Sequence, residues 1–400
     1  MSRVFVSAAS VLSPIGNGLK DFTDALRGGA SGVRDIRGEL VDFNFPVAAG
    51  APIHFPTRSS YYTTSQEVAA LAEQLFQQLL LSFDLDLPID LILCGCADIG
   101  SNWQDSLVAS GEKPELAFDV ISEETSNEFL AKLLKQQGFH LTPQCQTIGL
   151  NNTCTTGNAL IGHAFRRLKS GKNKRILVVS IEQLIKPPVL LPYLLLGALN
   201  TDVEDVERSS CPFSLNRSGF VKGESATALV LEVSDQQCES YIGEILGFAQ
   251  SSDGWHFLEG HPRHTGAISS MITAMKDAQL ALDQVEYINA HGTSTQLNDL
   301  SETDAVKATF GRRAYEIPMS SIKSQVGHSN IACGVLEALA TLIMMKESFV
   351  SPTLNLNVVD PKCDLDYVSN VSRIKEFRRS LSNSFGFGGQ NATLILGRSE

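Results

Sequence analysis

No uninterrupted apolar run in the 400 residues approaches the ~18–20 needed to span a membrane, and there is no low-complexity tract or long run of like charge. Membrane-spanning and disordered classes are therefore not expected. Basic charge is in deficit: 32 Lys and Arg stand against 44 Asp and Glu, a net charge of −12. That balance argues against a general nucleic-acid binder and against attachment to an anionic membrane by charge. The eight cysteines lack zinc-ligand spacing, since Cys94 and Cys96 form C-x-C, so reduced thiols and no metal site are expected. The opening MSRVFVSAASVLSPIG puts Pro14 and Gly16 where a signal peptide would continue its apolar region. It reads as the first strand of a cytoplasmic protein.

The patterned segments indicate an α/β fold. Arg3–Ser7 reads as a strand, Val11–Gly18 as a loop and Leu19–Arg27 as a short helix. Ser65–Leu81 is amphipathic and Leu91–Leu93 follows as a buried strand. Glu124–Gln136 reads as another helix, and Arg175–Val179 and Ala226–Val233 as strands with Pro187–Asn216 as a long Pro- and Leu-rich excursion between the last two. Ile268–Ala281, Val285–Asn289, Ile317–Ser321 and Ala332–Lys346 then repeat the helix, strand, strand, helix grammar. Two strand-to-helix units aimed at one place predict a duplicated α/β fold with its active centre between the halves.

Cys154 stands in NNTCTTGNALIGHAFRRLKSG, where an apolar stretch passes into a helical pattern. A helix start favours a thiolate and is expected to lower the usual thiol value of about 8.5. His291 leaves the strand Val285–Asn289 into AHGTSTQLND, and His328 closes SIKSQVGH. Both turns follow an apolar strand, the position where open α/β sheets present functional groups. In NSFGFGGQN, three glycines surround Phe385 and Phe387, which predicts close backbone approach, a hinge or a tight turn before the last strand.

On these motifs, together with PFSLNRSGFVKGE at Pro212–Glu224, the chain resembles the β-ketoacyl-(acyl carrier protein) synthases of the thiolase superfamily, in the elongating branch with a Cys-His-His triad. The resemblance implies a thiolase-like fold of two α/β halves in an αβαβα layering, residues 1–235 carrying the nucleophile and 236–400 the two histidines and the Gly-rich gate. It implies acylation of Cys154, enolate stabilisation by His291 and His328, and decarboxylative condensation with a malonyl thioester. The oxyanion hole would be the N–H groups of Cys154 and Phe387, with Phe387 also the acyl gate. Lys323 would sit beside the histidines with Glu302 as its ion-pair partner. No cofactor is implied beyond the phosphopantetheine arm of an acyl carrier protein, for which Lys132 and Lys135 are docking candidates alongside Arg166, Arg167 and Lys169. A homodimer, or a heterodimer with a related chain, is implied.

Departures from the family pattern are CPFS at Cys211–Ser214, Ser180-Ile181-Glu182 in place of paired glycines, and NNTCTTG around the nucleophile. They point to a specialised relative, such as one making polyenes or polyketides, rather than to a housekeeping fatty acid enzyme. The alternative of another class is a non-catalytic partner resembling a chain-length factor, which typically lacks the nucleophile.

Overall fold

The computed structural model describes residues 2–39, 45–54, 65–83, 87–96, 126–183, 185, 187–202, 204–236 and 238–399. Ten strands form the path of the main sheet: β1 (Arg3–Ser13), β2 (Ile89–Cys96), β3 (Leu141–Gly149), β4 (Arg175–Glu182), β5 (Ser225–Ser234), β6 (Gly243–Ser252), β7 (Tyr287–Asn289), β8 (Met319–Ser320), β9 (Arg379–Gly386) and β10 (Gln390–Gly397). From the centre outward, one side runs β1-β5-β4-β2-β3 and the other β6-β10-β9-β7-β8. Adding five to each label converts the first order into the second. Strand directions repeat as well: β2 is parallel to β3 and β4, as β7 is to β8 and β9, while β4–β5 and β9–β10 are antiparallel. Central β1 and β6 pair antiparallel.

Burial explains the strand sequences. In RILVVSIE of β4, Ile176 and Val178 enter one core while Leu177, Val179 and Ile181 enter another. A strand covered on both faces has no solvent side, so its sequence reads as a continuous apolar run. The outer core of the first half packs β2, β4 and β5 against α1 (Ser65–Leu80) and α2 (Ser126–Gln136) through Leu75, Phe76, Leu79, Leu130 and Leu134. Its counterpart packs β7, β9 and β10 against α5 (Thr265–Asp277) and α6 (Gln296–Phe310) through Met271, Met275, Val306 and Phe310. Between the sheet halves lie α3 (Thr156–Lys169) and α7 (Cys333–Lys346), in a middle core that draws residues from both. The order is helix, sheet, helix, sheet, helix. α4 (Pro187–Leu195), between β4 and β5, has no partner helix between β9 and β10.

The middle helices cross with their backbones nearly touching. A Cβ on Gly157 would lie 2.5 Å from the Val335 nitrogen, and one on Gly334 would lie 2.7 Å from the Asn158 nitrogen. Only glycine permits this approach, which brings the start of α3, and Cys154 just before it, against the turn that precedes α7.

Strand β1 runs to Ser13 instead of ending near Ser7, because Val11 and Leu12 continue the ladder to Thr227 and Ala226 before Pro14 breaks it. The predicted helix Glu124–Gln136 is seen as Ser126–Gln136; Glu124 and Thr125 lie outside the described residues. No helix among the described residues is long and apolar enough to cross a membrane.

Candidate active site

Cys154 is 6 % exposed and immediately precedes Thr155, the N-cap of α3. Thr153 before it is held at φ +53°, a left-handed conformation unusual for a β-branched residue. The turn is fixed by its own hydroxyls: Thr155 Oγ1 donates to the Asn152 carbonyl and Thr156 Oγ1 to the Thr153 carbonyl, both at 2.7 Å. The Cys333 thiol donates to the Cys154 carbonyl at 3.4 Å from the first residue of α7. Gly386 at the end of β9 abuts Thr153, and a Cβ there would run into Thr153 Oγ1. Gly386 thus brings the FGFGG turn, with Phe387, against the cysteine.

The two histidine turns meet Cys154. One ligand-type atom each of Cys154, His291 and His328, a sulfur and two ring nitrogens, lie within 4.8 Å of one another. The imidazole rings are 5.3 Å apart, edge to face at 84°. His291 is carried from β7 and Lys323 from the turn after β8, so these neighbouring parallel strands deliver both. Lys323 Nζ lies 3.3 Å from His291 Nδ1. An ammonium can only donate, so Nδ1 accepts and the ring proton of neutral His291 sits on Nε2. Burial, then Lys323, then His328 hold the His291 pKa well below its usual value. Burial, then Lys323 and Lys222, do the same for His328. Both imidazoles are neutral near pH 7 and can donate N–H bonds to an oxyanion.

Two expectations are corrected here. Glu302 is not the ion-pair partner of Lys323; that partner is Glu337, on α7, and both members are 1 % exposed in their side chains. Glu302 instead accepts the backbone N–H groups of His291 at 2.9 Å and Gly292 at 2.8 Å, and the Asn383 amide at 3.2 Å. It therefore fixes the histidine turn through its main chain, although burial raises its own pKa to about 7. The expected lowering of the Cys154 pKa is also absent. Burial pushes the thiol to about 12, against the pull of Lys323 and Lys222, because the sulfur is removed from water.

A second buried ion pair lies beyond what the sequence reading expects. Lys222 and Glu182 pair with side chains 0 % and 2 % exposed. The Lys222 strand runs beside the other histidine, the His328 N–H donating to the Val221 carbonyl and the Gly223 N–H to the His328 carbonyl. A signal for each pair exists in the sequence. Glu337 is the sole charge in CGVLEALATLIMM, and Lys222 stands in GFVKGESATALVL, where an ionised side chain needs a buried partner. The structure leaves Lys132 and Lys135 exposed on α2, in the outer helix layer. Arg166 donates to the Phe248 carbonyl and Arg167 to Asn173, so these two are engaged within the chain.

Known proteins place this geometry. The family model described as Beta-ketoacyl synthase, N-terminal domain, matches residues 144–237, and the one described as Beta-ketoacyl synthase, C-terminal domain, matches residues 242–357. The 3-oxoacyl-(acyl-carrier-protein) synthase 2 of Coxiella burnetii is 32% identical over 412 residues, covering 99% of this chain and 98% of the relative. The protein of the same name from Synechocystis is 40% identical over 246 residues, covering 61% of this chain and 59% of that one. Among solved structures, a β-ketoacyl synthase from Burkholderia phymatum superposes with TM-score 0.83 at 27% identity, covering both chains in full. A type II polyketide synthase acyl carrier protein in complex with its ketosynthase, bound to the hexaketide, gives TM-score 0.87 at 24% identity over both full chains, a likeness of fold. With the thiolase-like layering, the Cys-His-His centre and a relative matched end to end, the chain belongs to the β-ketoacyl synthase family.

Proposed function

We propose that this chain is a β-ketoacyl-(acyl carrier protein) synthase that carries an acyl group on Cys154 and condenses it with a malonyl thioester. The carrying observation is the convergence of the Cys154, His291 and His328 atoms within 4.8 Å in a buried site. Burial raises the thiol pKa and keeps the sulfur protonated near pH 7, so attack on the acyl thioester needs a proton acceptor at hand. A neutral imidazole supplies it. The acyl carbon–sulfur bond to the carrier breaks, the bond to Cys154 Sγ forms, and the carrier leaves as its free thiol. The malonyl thioester then loses carbon dioxide, and the electron pair moves onto the thioester oxygen as an enolate. His291 Nε2–H and His328 donate to that oxygen. The enolate carbon attacks the acyl-cysteine carbonyl, and collapse of the tetrahedral intermediate breaks the acyl carbon–sulfur bond and expels the Cys154 sulfur as a thiolate, which takes up a proton from solvent. The resemblance gives the N–H groups of Cys154 and Phe387 as the oxyanion hole for both tetrahedral steps.

The substrates ride on the phosphopantetheine arm of an acyl carrier protein, and no other cofactor takes part. One solved neighbour holds a carrier protein on its ketosynthase, and another, from Xenorhabdus doucetiae, is a ketosynthase in complex with its chain length factor. They support a carrier-protein partner and a dimer with a related chain; the absence of an apolar spanning helix among the described residues is compatible with the cytoplasm. The intact triad favours this reading over the non-catalytic partner.

Incubation with an acyl carrier protein, with any co-purifying subunit retained, should add one acyl group to the intact mass of the wild type and none to Cys154→Ala. A wild type that gains no adduct overturns catalysis and favours the partner role.

A further inference from the structure

Tyr193 lies on α4, which has no counterpart in the second half of the fold among the described residues. Its ring is 6.4 Å from that of Phe387 and within 24° of parallel, and it meets Phe220 edge-on at 5.5 Å. Phe220 in turn meets His328 edge-on at 5.2 Å. The phenol therefore stands in the wall between the FGFGG turn and the second histidine. Burial raises its pKa, with Cys154 and Glu182 adding to the effect, so it keeps its proton.

Asn330, two residues beyond His328, reaches this phenol. It is 5 % exposed, sits at φ +39°, and its Nδ2 donates to Tyr193 Oη at 2.6 Å. Its Oδ1 has no hydrogen-bond partner among the described residues. With the amide in this orientation Tyr193 is the acceptor, and no other described residue accepts its own proton. Turning the amide over lets Tyr193 donate and leaves the Asn330 NH2 unpaired instead. In either orientation the pair holds a hydrogen that needs an acceptor; Asn330 is buried, where polar groups are normally satisfied, and Tyr193 is half-buried beside it. A pure hydrocarbon chain offers none.

We propose that Tyr193 and Asn330 form a binding site for a carbonyl oxygen of the acyl group on Cys154, so that the preferred substrate is a 3-oxoacyl chain rather than a fully saturated one. This rests on the reading of Cys154 as the acyl carrier and deepens it. Lys222 lies 5.9 Å from the Tyr193 ring, but its charge is met by Glu182, so the wall has no net cation to hold a carboxylate. The condensation itself installs a ketone two carbons from the thioester. A chain that returns to Cys154 without reduction therefore presents the group this pair can bind, and the enzyme can extend its own unreduced product.

The test compares acylation of the full chain by acetoacetyl- and butyryl-carrier protein, read as kcat/KM from the growth of the intact-mass adduct. Wild type should favour acetoacetyl by about tenfold, the discrimination one neutral hydrogen bond supplies. Tyr193→Phe, which deletes one oxygen, and Asn330→Ala should each bring the ratio close to one. Both probes are read on the same preparation, so partial misfolding cancels from the ratio. A wild-type ratio near one, or a ratio that neither substitution moves, overturns the carbonyl site while leaving the acyl-carrier role standing. Preference for 3-hydroxybutyryl over acetoacetyl overturns the assignment of a carbonyl. No acylation by either probe overturns the acyl-carrier role and this site with it.

Discussion

Each histidine of the triad has a buried lysine–glutamate pair near it, and the two pairs differ in one respect. Lys323, paired with Glu337, reaches His291 Nδ1 at 3.3 Å, whereas Lys222, paired with Glu182, makes no hydrogen bond to His328 among the described residues. What links Lys222 to its histidine is backbone: the Val221 and Gly223 bonds to His328. Two ion pairs of like burial can thus serve different ends. One fixes a tautomer; the other joins the Lys222 strand to the end of β4 and places a cation at longer range from His328.

The largest expected effect follows from cutting the first pair. Lys323→Met strands Glu337 and removes the donor to His291, so chemical denaturation should register a loss of about 3–5 kcal/mol. Malonyl decarboxylation, followed as carbon dioxide release, should fall by about 10²–10³. Lys222→Met should carry a similar stability cost, with decarboxylation reduced by less than about tenfold. The apolar double variants separate stability from chemistry. Lys222→Met/Glu182→Leu should recover both, while Lys323→Met/Glu337→Leu should recover stability alone. Equal loss of decarboxylation in the two single variants would break the distinction.

A smaller effect concerns pH. Both histidines have folded pKa values well below 6.5, so beneath that pH the unfolded chain binds more protons than the folded one. Their contribution is complete above about pH 6.5 and is lost as pH falls below it. Glu302 runs the other way: its folded pKa of about 7 exceeds the free value of 4.5, so stability from this group falls as pH rises between the two. Glu302→Gln, which misaligns an amide against the His291 and Gly292 N–H groups, should cost about 1–3 kcal/mol at pH 5. The gap to wild type should narrow by pH 7, as read from urea midpoints. A gap that widens would mean that the three donors outweigh burial at this carboxyl.

The smallest effect is expected at the outer helix layer. Lys132→Glu/Lys135→Glu should raise the KM for a carrier-protein substrate by no more than about threefold at physiological salt, since exposed charges act mainly on encounter. A rise of an order of magnitude would make α2 the docking surface.

The strand and helix grammar is legible in the sequence where burial is simple. The Ala332–Lys346 pattern defines its helix to within a residue, because every side chain there answers to a core, and Arg175–Val179 finds the start of its strand, which runs on to Glu182 because Ser180, Ile181 and Glu182 are buried as well. Cys154, His291, His328 and Lys323 are legible through motifs. The partner of Lys323 is not: Glu337 lies fourteen positions away across a tight turn, and only the fold brings it there. Glu302, nearer in the resemblance, is drawn instead to the bare N–H groups of the turn it faces. The thiol departs from its expected acidity because proximity to a helix start is a local property, whereas desolvation depends on everything packed around the sulfur.

The contact of Gly157 with Gly334 has an evolutionary consequence. Cys154 and His328 each stand within six residues of that crossing, so their separation is governed by main chain resting on main chain. A single added methyl at either glycine would act as a wedge at the reaction centre itself. Substrate range has no latitude to drift there. The proposed carbonyl site stands apart from the crossing, on α4, where Tyr193 can change while the spacing of the triad is preserved.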